Sequence, residues 1–380
     1  MLIFATAMGW LLVACALIGA CYAVASAHSV EHFFRTPSAP EKDHPPVTVL
    51  KPLHGAEHSL AENLEGFCIQ DYPSAVQIVF GVQEAKDPAI AIVKALQEKH
   101  RHLDIALIVG ANRQAANPKV ANLINMLPHA KHGILILSDS DIGVPAGYLR
   151  KIVSALGQPG VGAVTCCYTG SASAGFWSKM SAMGIDYQFL PAVLYGVGIG
   201  LAAPCFGSTI ALRKSVLAEI GGFDAFGERL ADDYEIGRAI RARGYRIAMP
   251  PFAVIHSANE KSATELFRHE LRWARTIRAI DSLGHVGSVI THAVPLAILG
   301  TVLLQFSYPA LLALTAAVAA RLWLKHRIDR VLGIKGLSPW LLVQRDVLSF
   351  AVFISSFFTG QVDWQGRRYK IHPGGTLVRD

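Results

Sequence analysis

A long stretch without a charged side chain, residues 2–27, constrains the fold of this chain more than any other feature. A transmembrane helix needs about 20 consecutive apolar residues, so the stretch is long enough to cross a bilayer. A signal peptide is the rival interpretation, because the small residues Ala23 to Ala27 resemble a cleavage site. We expect an uncleaved anchor over residues 1–28, since no Lys or Arg precedes the run.

The residues after the anchor indicate which side of the membrane the chain enters. Arg35 and Lys42 follow the apolar run, and the positive-inside rule then places the C-terminal side in the cytosol. None of the six cysteines has C-x-x-C spacing, as expected for a reduced, cytosol-facing domain. Residues 29–46, which include the prolines Pro37 and Pro46, are predicted to form a linker.

The composition is intermediate between that of a soluble enzyme and that of a polytopic transporter. Hydrophobic residues make up 52% and charged residues 17%, with the apolar ones concentrated at the two ends. The net charge of +7 does not come from Lys/Arg runs with interleaved aromatics, so nucleic acid is not an expected partner. Basic residues instead lie beside apolar segments, which suits anionic lipid head groups and an anionic substrate.

Short apolar runs alternate with helical patterns between residues 47 and 285. This order predicts an α/β domain with a mostly parallel, Rossmann-like sheet and helices on both faces. Ligands of such sheets bind at the carboxyl ends of the strands. The predicted strands are 47–50, 77–82, 105–109, 134–137 and 162–165, and the predicted helices are 59–68, 88–99, 119–127 and 147–156.

Residues 286–366 are predicted to hold C-terminal transmembrane helices, followed by a basic tail at 367–380. The candidate spans are 293–320 and 337–362, the second interrupted by Arg345 and Asp346. The basic residues between the two candidate spans favour a cytosolic location for that loop, and the basic residues of the tail favour one for the tail. Two spans that each cross the membrane once would place the loop and the tail on opposite faces. A re-entrant segment or a short hairpin would reconcile them. Residues 185–206 are either a core segment or a membrane-dipping lip.

Two carboxylates, Asp139 and Asp141, directly follow the predicted strand 134–137. In an extended backbone, residues two apart point to the same side, so both can face one ligand. Adjacent like charges are costly unless a cation neutralises them, and Mg²⁺ or Mn²⁺ bridging a diphosphate would do so. The alternative is a capped turn before a helix.

Two downstream patterns are candidates for the same site. Asp232 and Asp233 precede a helical pattern, where acids are common for dipole reasons, yet Asp233 also suits a general base that deprotonates an alcohol. His269, Arg272 and Trp273 lie in a basic amphipathic helix that suits either a lipid surface or a departing diphosphate.

Weaker signals lie at other predicted strand ends and helix starts. Lys51 ends the first strand, Asp87 follows the second, and Lys119 lies at a helix start that suits phosphate. Each alone is more often a turn or cap. There is no Walker motif and no G-x-G-x-x-G, so neither a P-loop NTPase nor a dinucleotide enzyme is indicated.

The order and spacing of these motifs resemble the ceramide glucosyltransferase-like family of inverting GT-A glycosyltransferases. The matching positions are Lys51-Pro52-Leu53, Asp87-Pro88, Asn117-Pro118-Lys119, Asp139-Ser140-Asp141, Asp232-Asp233-Tyr234 and Arg272-Trp273. The resemblance implies a GT-A fold, a UDP-sugar donor, a divalent cation (Mg²⁺ or Mn²⁺) and a single inverting displacement onto a lipid hydroxyl. It also implies roles: Asp87 for the uridine end, Asp139 and Asp141 for the metal–diphosphate, Asp233 as base, and Arg272 with Trp273 closing the site.

A narrower resemblance is to bacterial hopanoid-modifying glycosyltransferases, through segments 134–142, 205–207 and 269–278. It implies transfer of N-acetylglucosamine from UDP-N-acetylglucosamine to bacteriohopanetetrol, in a multi-pass protein of the bacterial inner membrane with a cytosolic catalytic domain. The wider family usually has Gln or Arg at the position of His269. As a substrate-binding residue, His269 would donate a hydrogen bond to phosphate. The alternatives are a glucosyltransferase acting on ceramide or another lipid, and a non-catalytic membrane scaffold.

Overall fold

The computed structural model describes residues 2–41, 43–110, 115–336 and 338–358, together with the backbone of three C-terminal strands. The chain divides into two compact units. The sheet unit comprises Pro37–Ser178, Ala203–Asn259 and Arg368–Asp380, and the helical unit comprises Met1–Thr36, Lys179–Ala202 and Glu260–Arg367. Lys42, Leu337 and the side chains of the predicted basic tail lie outside the described residues.

The larger sheet carries the core of the sheet unit and has seven strands among the described residues. Its order is β3-β2-β1-β4-β8-β6-β9, with β4, β1, β2 and β3 parallel and β8 antiparallel to both its neighbours. The strands are β1 Val47–Pro52, β2 Val76–Val82, β3 Asp104–Val109, β4 Ile134–Leu137, β6 Val161–Thr165, β8 Ile210–Arg213 and β9 Arg246–Ala248.

A smaller sheet lies in the same unit. It pairs β10 (Ala253–Ala258) antiparallel with β5 (Ile142–Gly143) and parallel with β7 (Cys167–Ala172). Farther along the chain, the described C-terminal strands are β11 (Gln361–Trp364), β12 (Arg367–Ile371) and β13 (Leu377–Arg379). Strands β12 and β13 pair antiparallel.

Amphipathic helices connect the strands. The helices of the sheet unit are α2 Leu60–Cys68, α3 Ala89–Lys99, α4 Pro118–Met126, α5 Tyr148–Leu156, α8 Lys214–Glu219 and α9 Asp232–Ala242, and α6 Phe176–Gly184 leads the chain out of the unit. Apolar residues of β1, β2, β4 and β8 pack against α4 and α9 in one buried cluster that includes Leu50, Val79, Leu135 and Leu212. The five predicted strands and four predicted helices are confirmed to within two residues at each end.

Sequence reasoning missed the two-residue strand β5 and the strands after residue 165. β5 follows β4, β7 follows β6 and β10 follows β9 without an intervening helix, so the strand–helix alternation that revealed the first five strands is absent at these points. β8 joins the sheet antiparallel, and the sheet is therefore mostly rather than wholly parallel.

The helical unit contains α1 Leu2–Arg35, a π-helical turn at Ile185–Phe189, and α7 Leu190–Gly198. It continues with α10 Ala263–Ile280, α11 Ser282–Gly287, α12 Ala293–Leu303, α13 Tyr308–Leu332 and α14 Pro339–Ser355. The segment 185–206, left open by the sequence, lies largely in this unit.

The structure corrects two predicted boundaries in the helical unit. The helix that begins the chain does not end at residue 28 but continues to Arg35, supported by a Glu31–Arg35 ion pair of 2.6 Å and stopped before Pro37. The predicted span 293–320 is two helices, α12 and α13. Gln305 and Phe306 between them have φ of 50° and 59°, and the second helix opens with Pro309.

A third difference concerns the predicted catalytic domain at 47–285. Residues 179–202 and those from Glu260 onward belong to the helical unit, including the whole of α10. One reason is an ion pair of 2.6 Å between Glu270 of α10 and Arg345 of α14, both largely buried. The helix that carries Arg272 and Trp273 is therefore built on the helical unit.

Length and composition identify few membrane spans. Among the described residues, one helix, Ile3–Arg35, is long and apolar enough to cross a bilayer. The pair Ser282–Thr291 and Ala293–Leu303 passes the same test only if taken together, across a bend of 68°.

The packing between β2 and α4 can be tested at Gly81. A methyl group there would clash with Asn122 Oδ1 and Met126 Sδ and lie 2.6 Å from Met126 Cγ. We expect Gly81→Ala to destabilise the sheet unit by about 1–3 kcal/mol because the core is close-packed. Denaturant unfolding of the purified protein would measure this. Gly133→Ala, whose methyl group meets nothing within 4 Å, is the matched control; equal stability of the two variants would contradict the packing argument.

Candidate active site

The Asp139 and Asp141 carboxylates lie in a turn between β4 and β5, at the carboxyl edge of the larger sheet. The Asp139 N–H donates to the Gly207 carbonyl at 3.1 Å, and the Ile142 N–H donates back to the Asp139 carbonyl at 3.3 Å. The backbone is thus a turn and not the extended strand that the two-residue spacing assumed. Tertiary hydrogen bonds to neighbouring segments, rather than strand alternation, set the direction of each carboxylate.

Lys51, at the end of β1, holds this turn in place through hydrogen bonds from its side chain. Its buried ammonium donates to the Asp139 carbonyl at 2.5 Å, to Ser138 Oγ at 3.3 Å and to the Ile142 carbonyl at 3.4 Å. The ammonium also lies 4.1 Å from the centre of the Phe67 ring. Burial lowers the pKa of Lys51 to about 7, although the charges of Asp141 and Asp139 oppose the shift. Its contacts are those of a residue that holds the turn in place.

Lys119, in the first turn of α4, neutralises the site directly. Its ammonium lies 2.7 Å from Asp139 Oδ1 and 3.2 Å from Asp232 Oδ2. Asn117 caps α4 by accepting from the Lys119 and Val120 N–H groups, and its amide donates to Asp232 Oδ1 at 3.2 Å. Asp232 is therefore occupied by Lys119 and Asn117.

Asp233, the residue after Asp232, is connected to the Asp139 turn through hydrogen bonds with Gly207. Its Oδ2 accepts from the Gly207 N–H at 3.0 Å, and its Oδ1 accepts from the Tyr234 N–H at 2.7 Å. Gly207 thus links Asp233 to the Asp139 turn, because its carbonyl accepts from the Asp139 N–H. Residues 205–207 are one of the segments that carry the narrower resemblance, and in the structure Gly207 lies between Asp139 and Asp233.

His256, on β10, is a site residue that sequence reasoning missed. Its Nε2 lies 3.2 Å from Asp141 Oδ2, and its ring is 5.6 Å from that of Tyr168 on β7. Tyr168 also packs edge-on against Phe206, at 5.7 Å between ring centres. No sequence pattern marks these residues, because strand pairing between β7 and β10 alone brings them together.

The carboxylates raise one another's affinity for protons. Burial and the charge of Asp232 raise the pKa of Asp233 to about 6, with Lys119 opposing. Burial also raises the pKa of Asp139, again against the charge of Lys119. Burial alone would lower the pKa of Lys119, but Asp139, Asp232 and Asp233 together raise it well above its ordinary value. At this edge of the larger sheet, three carboxylates therefore surround the Lys119 ammonium.

The donor set fits a hard divalent cation that shares its coordination with a substrate. Asp139 and Asp141 offer carboxylate oxygens, the ligands that suit Mg²⁺ and Mn²⁺, and the His256 imidazole lies beside them. Across the described ranges no group of three His, Cys, Asp or Glu side chains is arranged to hold a metal by itself. Mg²⁺ and its analogues bind in this way, through one or two carboxylates completed by phosphate oxygens and water.

Asp87 lies at a neighbouring strand end. Its carboxylate caps α3 by accepting from the Ala89 N–H at 2.8 Å, and it accepts from the Gly55 N–H at 3.0 Å and 3.1 Å. It therefore ties the loop after β1 to the loop after β2. Asp87, Lys51, Lys119, Asp139, Asp141 and Asp233 all belong to the sheet unit.

His269, Arg272 and Trp273 form a separate group on α10 of the helical unit. Ser262 caps this helix by accepting from the Glu265 N–H, and Glu265 accepts from the Lys261 N–H in return. His269 Nδ1 lies 2.5 Å from Glu260 Oε1, and its ring is 4.4 Å from the Trp273 ring. Burial favours a protonated Glu260, but the hydrogen bond and charge of His269 outweigh it and hold the Glu260 pKa below its ordinary value. His269 is thereby held against Glu260 and Trp273.

The close packing around Gly207 can be tested directly. A methyl group at this position would clash with Asp139 Oδ2 and lie 2.8 Å from Lys119 Nζ. We expect Gly207→Ala to lower catalytic turnover about 10- to 100-fold, since displacing a reacting group by about 1 Å costs that much, while thermal stability changes little. Gly147→Ala, which meets nothing within 4 Å, is the control. Wild-type turnover in Gly207→Ala would show that the Asp139 geometry is not critical.

The chain is similar to known glycosyltransferases. The chain is 29% identical over 238 residues to ceramide glucosyltransferase 1 of Caenorhabditis elegans, covering 62% of this chain and 50% of that protein. It is 21% identical over 235 residues to beta-monoglucosyldiacylglycerol synthase of Synechocystis sp., covering 61% and 47%. The chain thus spans about half the length of these relatives.

A solved structure and a family model complete the comparison. The mannosyltransferase PcManGT from Pyrobaculum calidifontis, in complex with GDP-Man and Mn²⁺, superposes with a TM-score of 0.52 at 22% identity, covering 91% of this chain and 99% of that one. The chain therefore has a mixed α/β, GT-A-like fold. Residues 11–377 match the model of Glycosyl transferase family 21. The family resemblance found in the sequence is confirmed, and this chain belongs to Glycosyl transferase family 21.

Proposed function

We propose that this chain is a membrane-anchored, inverting glycosyltransferase that moves a sugar from a UDP-sugar to the hydroxyl group of a lipid. One observation carries the proposal: Gly207 joins the Asp139 turn to Asp233 through hydrogen bonds of 3.1 Å and 3.0 Å. A carboxylate suited to a metal–diphosphate and a carboxylate suited to a base are thereby fixed beside each other. Such a pair is what a single displacement at an anomeric carbon requires.

The donor end of the site is the turn that carries Asp139 and Asp141. These two residues, with His256 beside them, would hold a Mg²⁺ or Mn²⁺ ion, which when bound neutralises the diphosphate. Lys119 contributes a fixed positive charge at the same place. Asp87, at the adjacent strand end, is proposed to contact the uridine end of the donor.

The acceptor chemistry is assigned to Asp233. Its carboxylate removes the proton of the lipid hydroxyl as that oxygen attacks the anomeric carbon from the face opposite UDP. The bond to UDP breaks in the same step, the configuration inverts, and the diphosphate leaves with the bonding electron pair. Asp232 does not compete for this role, because Lys119 and Asn117 occupy it.

The residues of α10 are proposed to act on the leaving group. Arg272 offers a planar guanidinium that matches paired phosphate oxygens. His269, positioned by its contact with Glu260, would donate a hydrogen bond to phosphate. Trp273 would form a wall of the sugar or acceptor site.

The narrower identity of the substrates is also a proposal. The resemblance to hopanoid-modifying enzymes supports N-acetylglucosamine transfer to bacteriohopanetetrol at the bacterial inner membrane, with a cytosolic catalytic domain. The similarity to a ceramide glucosyltransferase and to a beta-monoglucosyldiacylglycerol synthase supports the alternative, glucosyl transfer to ceramide or diacylglycerol. The distribution of apolar residues supports the membrane location in either case.

The substrates can be identified by incubating membranes that contain the full chain with a panel of UDP-sugars and candidate lipids. Mass spectrometry of the lipid fraction would show which glycolipid forms, and we expect the hopanoid product with UDP-N-acetylglucosamine. A ceramide or diacylglycerol product would select the alternative. If UDP-sugar is neither transferred nor hydrolysed with Mg²⁺ or Mn²⁺, the chain is a non-catalytic scaffold and the proposal fails.

The base assignment predicts the behaviour of one conservative variant. We expect Asp233→Asn to lower turnover about 10²- to 10⁴-fold, since that is the usual contribution of a general base. Binding of UDP, measured by calorimetry with Mn²⁺ present, should remain close to that of the wild type. Glu235→Gln, at an acid of the same helix outside the site, is the matched control. Near-normal turnover in Asp233→Asn would remove Asp233 from the mechanism.

The raised pKa of Asp233 predicts an acidic limb in the pH profile. A base must be deprotonated, so its competent form is lost as the pH falls through about 6. We expect kcat/KM to fall about tenfold per pH unit below that value and to be level above pH of about 7. UDP binding measured over the same range separates protonation of Asp233 from that of Asp139. A flat profile between pH 5 and 7 would contradict the assignment.

A further inference from the structure

The helix α12 packs along α1 in the opposite direction. A methyl group at Gly19 would lie 2.9 Å from Ala293 Cβ, at the start of α12, and one at Gly9 would lie 2.7 Å from Leu304 Cγ, just beyond its end. Between these points, Gly300 would meet Val13 Cγ2 at 2.9 Å. The glycines allow close backbone approach, and their order shows that α12 runs from the level of Gly19 to the level of Gly9.

The helix α13 returns along α1 in the same direction as α1 itself. Val13 packs against Ala310 and Ala313 near the start of α13. Farther along, the rings of His28 and Trp323 lie 5.2 Å apart, and Arg327 forms an ion pair with Glu31. α13 therefore ends beside the last turns of α1, and α12 and α13 form a hairpin.

The turn of this hairpin is closed by its own hydrogen bonds. The Phe306 N–H donates to the Thr301 carbonyl at 2.9 Å, and Thr301 Oγ1 donates to the Ala310 carbonyl at 3.2 Å. Gln305 and Phe306 take left-handed conformations there. Lipid offers no hydrogen-bond partners to backbone groups, so a segment at membrane depth must find those partners within the protein. The bonds within this turn supply part of them.

The apolar arms of the hairpin are too short to cross a bilayer, whose hydrocarbon core is about 30 Å thick. α13 has 25 residues, but its uncharged part before Arg321 rises only about 20 Å. α12 has 11 residues, a rise of about 16 Å. Its tip reaches the level of Gly9, so the first turns of α1 extend about 10 Å farther. Both ends of the hairpin lie toward the C-terminal half of α1.

The outer face of the hairpin is apolar and exposed. Val302 is 54% exposed, Leu312 52%, Phe306 63% and Tyr308 74%. Arg321, one of the basic residues between the two predicted spans, is buried and donates two hydrogen bonds of 2.6 Å and 2.8 Å to Asp346. The exposed side chains near the tip suit acyl chains, and the charge that argued against this placement is neutralised within the protein.

We infer that α12 and α13 form a re-entrant hairpin that enters the bilayer from the side on which α1 ends, embeds its tip in the acyl chains and returns without crossing. The inference rests on the proposed membrane anchor. It removes one part of the topology conflict in the sequence, because the basic residues that follow the hairpin then lie on the same face as the end of α1. The competing topology, with residues 282–303 as one bent span, would place the tip on the far face.

Single cysteines in the full chain test the topology. In a Cys15→Ala, Cys21→Ala background, Thr36→Cys and Ile3→Cys mark the two faces, Ser282→Cys and Lys335→Cys flank the hairpin, and Phe306→Cys marks its tip. Each is treated with a membrane-impermeant maleimide in vesicles of either orientation. We expect Ser282→Cys and Lys335→Cys to label from the same face as Thr36→Cys, and Phe306→Cys to label from neither face.

A fluorescent probe attached at Phe306→Cys after detergent solubilisation and reconstitution then reports depth. We expect stronger quenching by lipids with a spin label deep in the acyl chain than by lipids labelled at the head group. Labelling of Phe306→Cys from either face in intact vesicles overturns the inference. So does labelling of Ser282→Cys and Lys335→Cys from opposite faces, or of Ile3→Cys and Thr36→Cys from the same face.

The topology readout does not depend on catalysis. Glycolipid formation by the same variants is measured in parallel, so that an inactive chain with the expected labelling pattern refutes the proposed function and leaves the hairpin standing. An active chain with Phe306→Cys labelled from the far face refutes the hairpin alone.

Discussion

Electrostatic balance at the carboxyl edge of the larger sheet is the constraint on which the rest of the site depends. Asp139, Asp141, Asp232 and Asp233 converge there, and like charges this close oppose folding unless cations lie among them. The Lys119 ammonium is such a cation, 2.7 Å from Asp139 and 3.2 Å from Asp232. From other strands, Lys51 donates to the Asp139 carbonyl and His256 lies beside the Asp141 carboxylate. The negative charge that remains is what the proposed divalent cation would neutralise.

The helical unit solves a related problem with buried ion pairs. Arg321 binds Asp346 through both carboxylate oxygens and donates a third hydrogen bond to the Tyr187 carbonyl at 2.7 Å. Arg345 binds Glu270 at 2.6 Å. Breaking such a pair by removing one partner is strongly destabilising, because the other charge stays buried. These pairs therefore define how α10, α13 and α14 pack, and α10 carries Arg272 and Trp273.

Local patterns predicted the first half of the sheet unit well. Strands at 47–52 and 134–137, and helices at 89–99 and 148–156, were recognisable because apolar periodicity and turn residues mark them in the chain. Strands β5, β7 and β10 escaped prediction because they form a separate small sheet and each follows another strand without an intervening helix. The break at Gln305 and Phe306 escaped because its residues are ordinary in an apolar run, and only their φ angles reveal the turn.

The sequence by itself determined the types of chemical group at the edge of the larger sheet: paired carboxylates after a strand and a second acidic pair before a helix. It also determined that one end of the chain is apolar enough to cross a membrane. Only the tertiary structure decided that Lys51 supports a turn, that His256 faces Asp141, and that Gly207 separates Asp139 from Asp233. The physical reason is that strand pairing and side-chain packing bring together residues more than 60 positions apart, such as Asp139 and Gly207, and no local pattern encodes such a contact.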